Sequence, residues 1–210
     1  MKRLLLALII LALAGCAAGS GQPRLPYDYW YVGLAAPRFM EVWVESVDVI
    51  DRRGLAYFHI HGGVVSYTGN PVGWHNGGGA MKQASNVDLP ETLFVRWQSL
   101  VEPQTYKLRI DIPQWVRDEM LKPQRAFCRA DGEWVDNLYR YDISIGMAPG
   151  GIAKAWVGGP CLSNIEIGRY QAKVDTRGPY EGHSNGRYYR PPTGAAQAYI
   201  EQHGIPYESW

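Results

Sequence analysis

The segment PETLFVRWQSLVEPQTYKLRIDIP, residues 90–113, shows the clearest pattern in the chain. In its second half, apolar residues alternate strictly with polar ones, at Tyr106, Leu108, Ile110 and Ile112. This period of two is typical of a strand with one face in a core and the other in water. The first half alternates in the same way, with Leu93, Val95 and Trp97 on the apolar face. Because the connection at 102–104 is short and contains a proline, the segment predicts an antiparallel hairpin.

Similar patterns recur along the chain and predict around eight strands, at 27–34, 39–50, 55–61, 93–98, 105–112, 139–147, 152–158 and 165–174. A change of phase near Glu45 and Ser46 indicates a bulge in the second of them. Short helices are predicted at 114–121 and at 193–202, the latter with Thr193 as its N-cap. The expected fold is therefore mainly β, an antiparallel β-sandwich or open barrel with one or two short helices.

Two polar, glycine-containing stretches, 62–79 and 175–192, are expected to be exposed loops, and the second is expected to be poorly ordered. It contains Arg187, Tyr188 and Tyr189, which are candidates for binding a protein partner because Arg and Tyr are enriched in binding hot spots. The alternative is a solvated loop. Arg96, on the polar face of the first hairpin, is a further candidate, although its position also suits a cross-strand ion pair.

The N-terminus has the layout of a secretory signal, with Lys2 and Arg3 before an apolar run and LAGC at 13–16. LAGC resembles a bacterial lipobox, in which the chain is cut before Cys16 and Cys16 is acylated. An ordinary cleavable signal is the alternative. We expect a signal peptide at 1–15, a tether at 16–26 and a single β-rich domain at 27–210. The residue after Cys16 is Ala17 rather than Asp, which indicates sorting to the outer membrane. We therefore expect the protein to be anchored there by its lipid and to face the periplasm.

Once Cys16 is lipidated, Cys128 and Cys161 remain, and in an oxidising periplasm this pair is predicted to form a disulfide. Two separately buried thiols are the alternative. Without Lys2 and Arg3, 19 of the 21 Lys and Arg residues remain, against 20 Asp and Glu, which gives a net charge of −1. That balance argues against a nucleic-acid partner. The 14 Tyr and 8 Trp, against 4 Phe, suit sheet faces and binding surfaces.

His59 and His61 lie two apart on a predicted strand, so both rings are expected on one face, and His75 follows in the next loop. Three imidazoles are suitable ligands for zinc or iron. The residues after His61 supply no carboxylate, however, and ordinary strand histidines are the preferred interpretation. We therefore expect no metal and no other cofactor. The sequence has neither a P-loop nor a G-x-S-x-G nucleophile motif, and the protein is predicted not to be an enzyme.

Four segments together resemble one family: the lipobox, YVGLAAPRFMEVWVE at 31–45, VRWQSLVEPQTY at 95–106 and IGMAPGGIAKAWVGG at 145–159. They are similar, in register, to the bacterial lipoproteins of domain of unknown function 2931. The family offers no catalytic residues to carry over. Some of its members are encoded beside phospholipase effectors of type VI secretion and serve as periplasmic immunity proteins. The resemblance therefore implies binding to a periplasmic phospholipase toxin. An envelope structural or glycan-binding lipoprotein, or a metalloenzyme using His59 and His61, are the alternatives.

Overall fold

The computed structural model describes residues 24–67, 69–74 and 77–210. The predicted signal peptide, the lipidation at Cys16 and the third histidine, His75, lie outside these ranges. Within them the chain forms, in order, β1 (Tyr29–Ala36), β2 (Val42–Asp51), β3 (Ala56–Val64), β4 (Ser66–Tyr67), β5 (Ala80–Ser85), β6 (Pro90–Ser99), β7 (Gln104–Asp111), α1 (Gln114–Leu121), β8 (Gln124–Cys128), β9 (Glu133–Leu138), β10 (Asp142–Ala148), β11 (Ile152–Gly159), β12 (Leu162–Gln171), β13 (Lys173–Val174) and α2 (Gly194–His203).

The hairpin predicted at 90–113 is confirmed as β6 and β7. The two strands are antiparallel, and Leu93 faces Ile110 while Trp97 faces Tyr106. Their apolar rows therefore lie side by side on one face, where all four residues are buried. The rings of Trp97 and Tyr106 are 5.4 Å apart between centroids, a distance typical of favourable aromatic pairs.

This hairpin is the centre of a five-stranded sheet with the order β13-β7-β6-β2-β3. All neighbours in this sheet are antiparallel. The predicted bulge near Glu45 is confirmed, because the register between β2 and β6 shifts between Val44 and Ser46. The extra residue changes which side chains of β2 face outward, and it places Glu45 beside β6 on the outer face.

The second sheet has the order β12-β11-β10-β1-β4, with β5 also paired to β1. The hairpin predicted around 139–158 is confirmed as β10 and β11. The first strand is a surprise, because β1 runs parallel to both β10 and β4 rather than antiparallel. Alternation along a strand reveals which face is buried but carries no information about the direction of the neighbouring strand.

The two sheets pack face to face on one apolar core. Trp30, Val32 and Leu34 of β1 belong to the same buried cluster as Leu93 and Trp97 of β6. Trp30 and Trp97 are completely buried, and truncating either to alanine would cost about 3–5 kcal/mol. The predicted class, mainly β with a sandwich arrangement and two short helices, is confirmed.

One long strand joins the sheets. The region predicted as a single strand at 165–174 consists of β12, in the second sheet, and β13, in the first. Buried Ala172 lies at the corner between them, and its N–H donates to the carbonyl of Gly151. The two helices begin and end close to their predicted limits, and the Thr193 hydroxyl accepts a hydrogen bond from Ala196 N as the predicted cap.

The predicted loops require correction. The stretch 62–79 contains the end of β3 and all of β4. The stretch 175–192 is not a free loop, because Asp175 and Pro179 are buried and its backbone is bonded to the five-stranded sheet.

Candidate functional site

Residues 175–193, called the strap below, cross the outer face of the five-stranded sheet. Three hydrogen bonds of 2.7 Å fix it to β2 and β6: Tyr180 N donates to Glu45, Tyr189 N donates to Gln98, and Arg96 donates to the Gly178 carbonyl. Gln98 in turn donates to Glu45 at 2.9 Å. The polar face of the central hairpin is therefore covered by protein at Arg96 and Gln98, and these side chains hold the strap.

Arg96 is the centre of this arrangement. Its guanidinium contacts the carboxylates of Glu45 and Asp175, and only 9% of its side chain is exposed. The cross-strand ion pair considered for Arg96 is thus present. Because Arg96 does not face solvent, the prediction that it contacts an external partner is corrected: its role here is structural. A charged group that is removed from water needs such partners, because an isolated buried ion is strongly unfavourable.

The far end of the strap is held by Glu41. Its carboxylate accepts from Arg190 Nη1 at 2.6 Å and from Thr193 N at 2.9 Å, and it also accepts from the Thr193 hydroxyl. Burial alone would raise the pKa of Glu41, but these hydrogen bonds outweigh burial and hold the pKa below its ordinary value. The Glu41 carboxylate therefore stays ionised at a lower pH than an ordinary glutamate does.

The RYYR sequence lies within the strap and is partly engaged. The ring of Tyr189 stacks on Trp43 of β2 with a centroid distance of 3.4 Å and a tilt of 7°. The Tyr188 hydroxyl donates to the Pro103 carbonyl at 2.6 Å. Arg187 is exposed, and within the described ranges its side chain donates only to the nearby Ser184 carbonyl. These contacts give the two tyrosines structural roles, while Arg187 and the exposed part of Tyr189 remain at the surface.

Beside the strap lies an open groove of about 430 Å³. Two ladder rows of the sheet form its floor: Lys173, Lys107, Arg96 and Ser46 in one, and Arg109, Phe94 and Asp48 in the next. Arg177 and Glu181 of the strap complete the walls. The Arg109 guanidinium lies 5.5 Å from the centre of the Phe94 ring, a cation–π arrangement. The groove therefore combines an aromatic surface with several cations.

His59 and His61 do not lie on one face of β3 as expected. His59 has a positive φ of 55° and is exposed, whereas His61 is buried. The irregular backbone turns the two rings into different surroundings, so the prediction of a shared face is wrong. His61 Nε2 is 2.7 Å from the Ala80 carbonyl and Nδ1 accepts from Gly62 N, which occupies both ring nitrogens. Burial lowers the pKa of His61 and favours the neutral ring.

Among the described residues, Cys128, Asp131 and Cys161 lie close enough together to resemble a metal site, but the two cysteines form a disulfide. Cys128 and Cys161 are bonded, with their Cα atoms 4.9 Å apart. The structure thus contains the predicted bridge, and its thiols are not free to bind an ion. The bridge also has a structural role, because it ties the small hairpin of β8 and β9 to the start of β12.

This small hairpin carries an exposed aromatic pair. Phe127 and Trp134 face each other across β8 and β9, with centroids 5.9 Å apart and side-chain exposures of 44% and 60%. The Arg125 guanidinium lies 5.4 Å from the Trp134 ring. Sequence reasoning missed these residues. Their signal was the turn that contains Asp131-Gly132: the turn spans residues 129–132, and positions 127 and 134 lie two residues before and two residues after it.

One carboxyl has a strongly altered acidity. Burial raises the pKa of Asp142, at the start of β10, to about 6. Asp142 faces Gly158 across the β10–β11 pair, and it has no hydrogen-bond or ion-pair partner among the residues described. A partly buried carboxylate without such a partner is unfavourable, so the protonated form is stabilised instead.

Neither α1 nor α2 combines the length and the apolar character needed to cross a membrane, and this holds for every helix in the described ranges. Comparison with curated proteins and with solved structures gives no significant match. One family model, described as "Protein of unknown function (DUF2931)", matches residues 17–208, which is nearly the whole chain. The protein therefore belongs to the DUF2931 family.

Proposed function

We propose that this protein acts by binding another protein. The observation that carries the proposal is the disulfide-tied hairpin of β8 and β9, which presents Phe127, Trp134 and Arg125 at the surface. A two-stranded hairpin alone is marginally stable in water, so the bridge to Cys161 keeps this one in place. A contiguous apolar patch at the surface, such as this aromatic pair, is typical of a protein-interaction site.

The chemistry of the hairpin suits a binding hot spot. Trp and Arg are the residues most enriched in such spots, and a few of them provide most of the binding energy of an interface. A rigid support adds to this effect, because less conformational freedom is lost when the partner binds. The pairing of Phe127 with Trp134 and the contact with Arg125 fix these side chains in advance.

We further propose that the protein is an immunity protein, anchored through lipidated Cys16 to the outer membrane and facing the periplasm, and that its partner is a type VI secretion phospholipase toxin. The support is the LAGC motif and the resemblance to family members encoded beside such toxins. An anchor at the membrane keeps an inhibitor where a phospholipase acts. Lipid attachment is favourable by roughly 0.8 kcal/mol for each buried CH₂ group, so several acyl chains hold firmly.

The test uses the full-length protein in detergent and the phospholipase encoded beside its gene. The wild-type protein is expected to capture the enzyme and to block its hydrolysis of phospholipid. Trp134→Ala is expected to weaken capture by about 30-fold or more, since truncating a hot-spot residue costs at least about 2 kcal/mol. The matched control is Trp115→Ala on α1, a tryptophan of 39% exposure that lies outside the hairpin.

Three results would overturn parts of this proposal. If wild-type protein neither captures nor inhibits the phospholipase, or if no phospholipase or spike-tip gene adjoins its own, the immunity function is wrong. Equal losses in Trp134→Ala and Trp115→Ala would remove the hairpin as the contact surface. Failure of labelled palmitate to enter the protein, compared with a Cys16→Ser control, would remove the lipid anchor.

A further inference from the structure

The groove beside the strap contains an unusual arrangement of like charges. Lys173 of β13 directly faces Lys107 of β7, which in turn faces Arg96 of β6. Arg96 is neutralised by Glu45 and Asp175. The two lysines are less well compensated. Lys107 Nζ is 3.7 Å from Asp175, whose carboxylate already contacts Arg96 and Arg177. Lys173 has no ion-pair partner among the residues described.

Like charges that face each other across two strands destabilise a sheet. Five basic side chains line the groove, and three of them are paired: Arg96 with Glu45 and Asp175, Arg109 with Asp111, and Arg177 with Asp175 and Glu181. Lys107 and Lys173 are therefore its least compensated cations. Low-dielectric walls concentrate the field of such charges and raise the local concentration of anions. The site therefore gains stability whenever a negatively charged group lies between Lys107 and Lys173.

We propose that this groove binds an acidic segment of the protein partner. The inference rests on the proposed function, that the protein acts by binding another protein, and it adds the chemistry of one contact. The cations are spread rather than focused on one point: from Lys173 through Lys107 to Arg96 the row crosses two strand spacings, about 10 Å. That width suits several residues of an extended chain and exceeds what one phosphate group covers.

The rest of the lining agrees with a peptide. Phe94, with Arg109 above it, offers a surface for an apolar or aromatic side chain between the acidic ones. Asp48, at the β2 end of the second row, disfavours a compact anion there but accepts hydrogen bonds from peptide N–H groups. The groove is thus basic at its β7 and β13 side and acidic at its β2 side, which gives a bound segment a direction.

The experiment measures fluorescence anisotropy of a fluorescein-labelled hexaglutamate peptide with the full-length protein in detergent. The wild-type protein is expected to bind it, more weakly at 200 mM than at 50 mM salt, and not to bind hexaglutamine. The variant Lys107→Gln/Lys173→Gln is expected to bind at least tenfold more weakly. Lys82→Gln, an exposed lysine on β5 outside the groove, is the matched control and is expected to bind as wild type.

Folding is checked by thermal melting monitored by circular dichroism. Because the substitutions remove like-charge repulsion, the double variant is expected to melt no lower than wild type. Unchanged peptide binding in the double variant, or no binding by wild type, would overturn the inference. Inorganic phosphate and phosphatidylglycerol vesicles serve as competitors. Displacement of the peptide by millimolar phosphate would mark the groove as a phosphate site, and displacement by vesicles as a membrane contact; either result overturns the acidic segment.

These outcomes are independent of the hairpin. If peptide binding fails while Trp134→Ala still abolishes toxin capture, the inference about the groove falls and the proposed function stands. If peptide binding succeeds and depends on the two lysines but no toxin is captured, the groove is an acidic-peptide site and the immunity function falls.

Discussion

Replacing Arg96 by methionine tests whether the strap depends on the buried ion network. The substitution keeps much of the side-chain volume but removes the cation that contacts Glu45, Asp175 and the Gly178 carbonyl. Removing one partner of a buried ion pair costs about 3–5 kcal/mol, because the remaining charge stays desolvated. Asp175 keeps its 2.9 Å contact with Arg177, and Glu45 keeps Gln98, so we expect a value near 3 kcal/mol.

Urea denaturation measures this loss directly. With a slope of about 2 kcal/mol per molar urea, the unfolding midpoint of Arg96→Met is expected to fall by about 1.5 M. Hydrogen exchange gives the local readout: the amides of Tyr180 and Tyr189, which donate to Glu45 and Gln98, are expected to lose protection before the core strands do.

The matched control is Arg109→Met. Arg109 also pairs with an aspartate, Asp111 at 2.7 Å, but their side chains are 60% and 69% exposed. An exposed pair is worth at most about 1 kcal/mol, so little change is expected. If Arg96→Met costs no more than Arg109→Met, or if the strap amides stay protected, the network does not hold the strap and this reasoning is wrong.

Three further predictions concern other parts of the chain. The double substitution Cys128→Ala/Cys161→Ala is expected to lower the unfolding free energy by about 3–4 kcal/mol, since the bridge closes a loop with a separation of 33 residues. A urea midpoint equal to that of the wild-type protein would contradict this. Asp142→Asn is expected to stabilise the protein by about 2–3 kcal/mol at pH 8, where the folded state holds a partly buried, ionised carboxylate. Because the pKa of Asp142 is raised from 3.8 to about 6, this gain in stability should shrink as pH falls through 6 and vanish below 3.8. Unfolding curves at several pH values can check this, and a gain that does not depend on pH would exclude titration of Asp142 as its cause. Lys173→Thr is expected to raise the unfolding free energy by about 0.2–1 kcal/mol by removing the repulsion from Lys107, and a lower melting temperature would refute it.

The central hairpin was predictable because its information is local. Alternation of Leu93, Val95 and Trp97, and of the matching residues on β7, identifies the buried face without knowledge of the rest of the chain. The helix at 114–121 and the Thr193 cap follow from equally local signals. The parallel pairing of β1 with β10 does not, since these strands are more than a hundred residues apart in sequence.

The strap was misread for a related reason. Its composition, rich in Gly, Pro and polar residues, is that of an exposed loop. Its order comes from acceptors elsewhere, at Glu41, Glu45 and Gln98, which became neighbours only through the pairing of β2 with β6. The same pairing hides Arg96. The positive φ of His59 was equally beyond pattern reasoning, because a strand period assumes regular backbone.

The strand that joins the sheets also links the two surfaces considered above. The disulfide that holds the aromatic hairpin is attached at Cys161, immediately before β12, and the same chain continues through Ala172 to Lys173 in the groove. At about 3.3 Å per residue, these two points are separated by at most about 40 Å, and the intervening β-structure fixes their spacing. A molecule that touches both at once must therefore present two contact sites that are no more than about 40 Å apart.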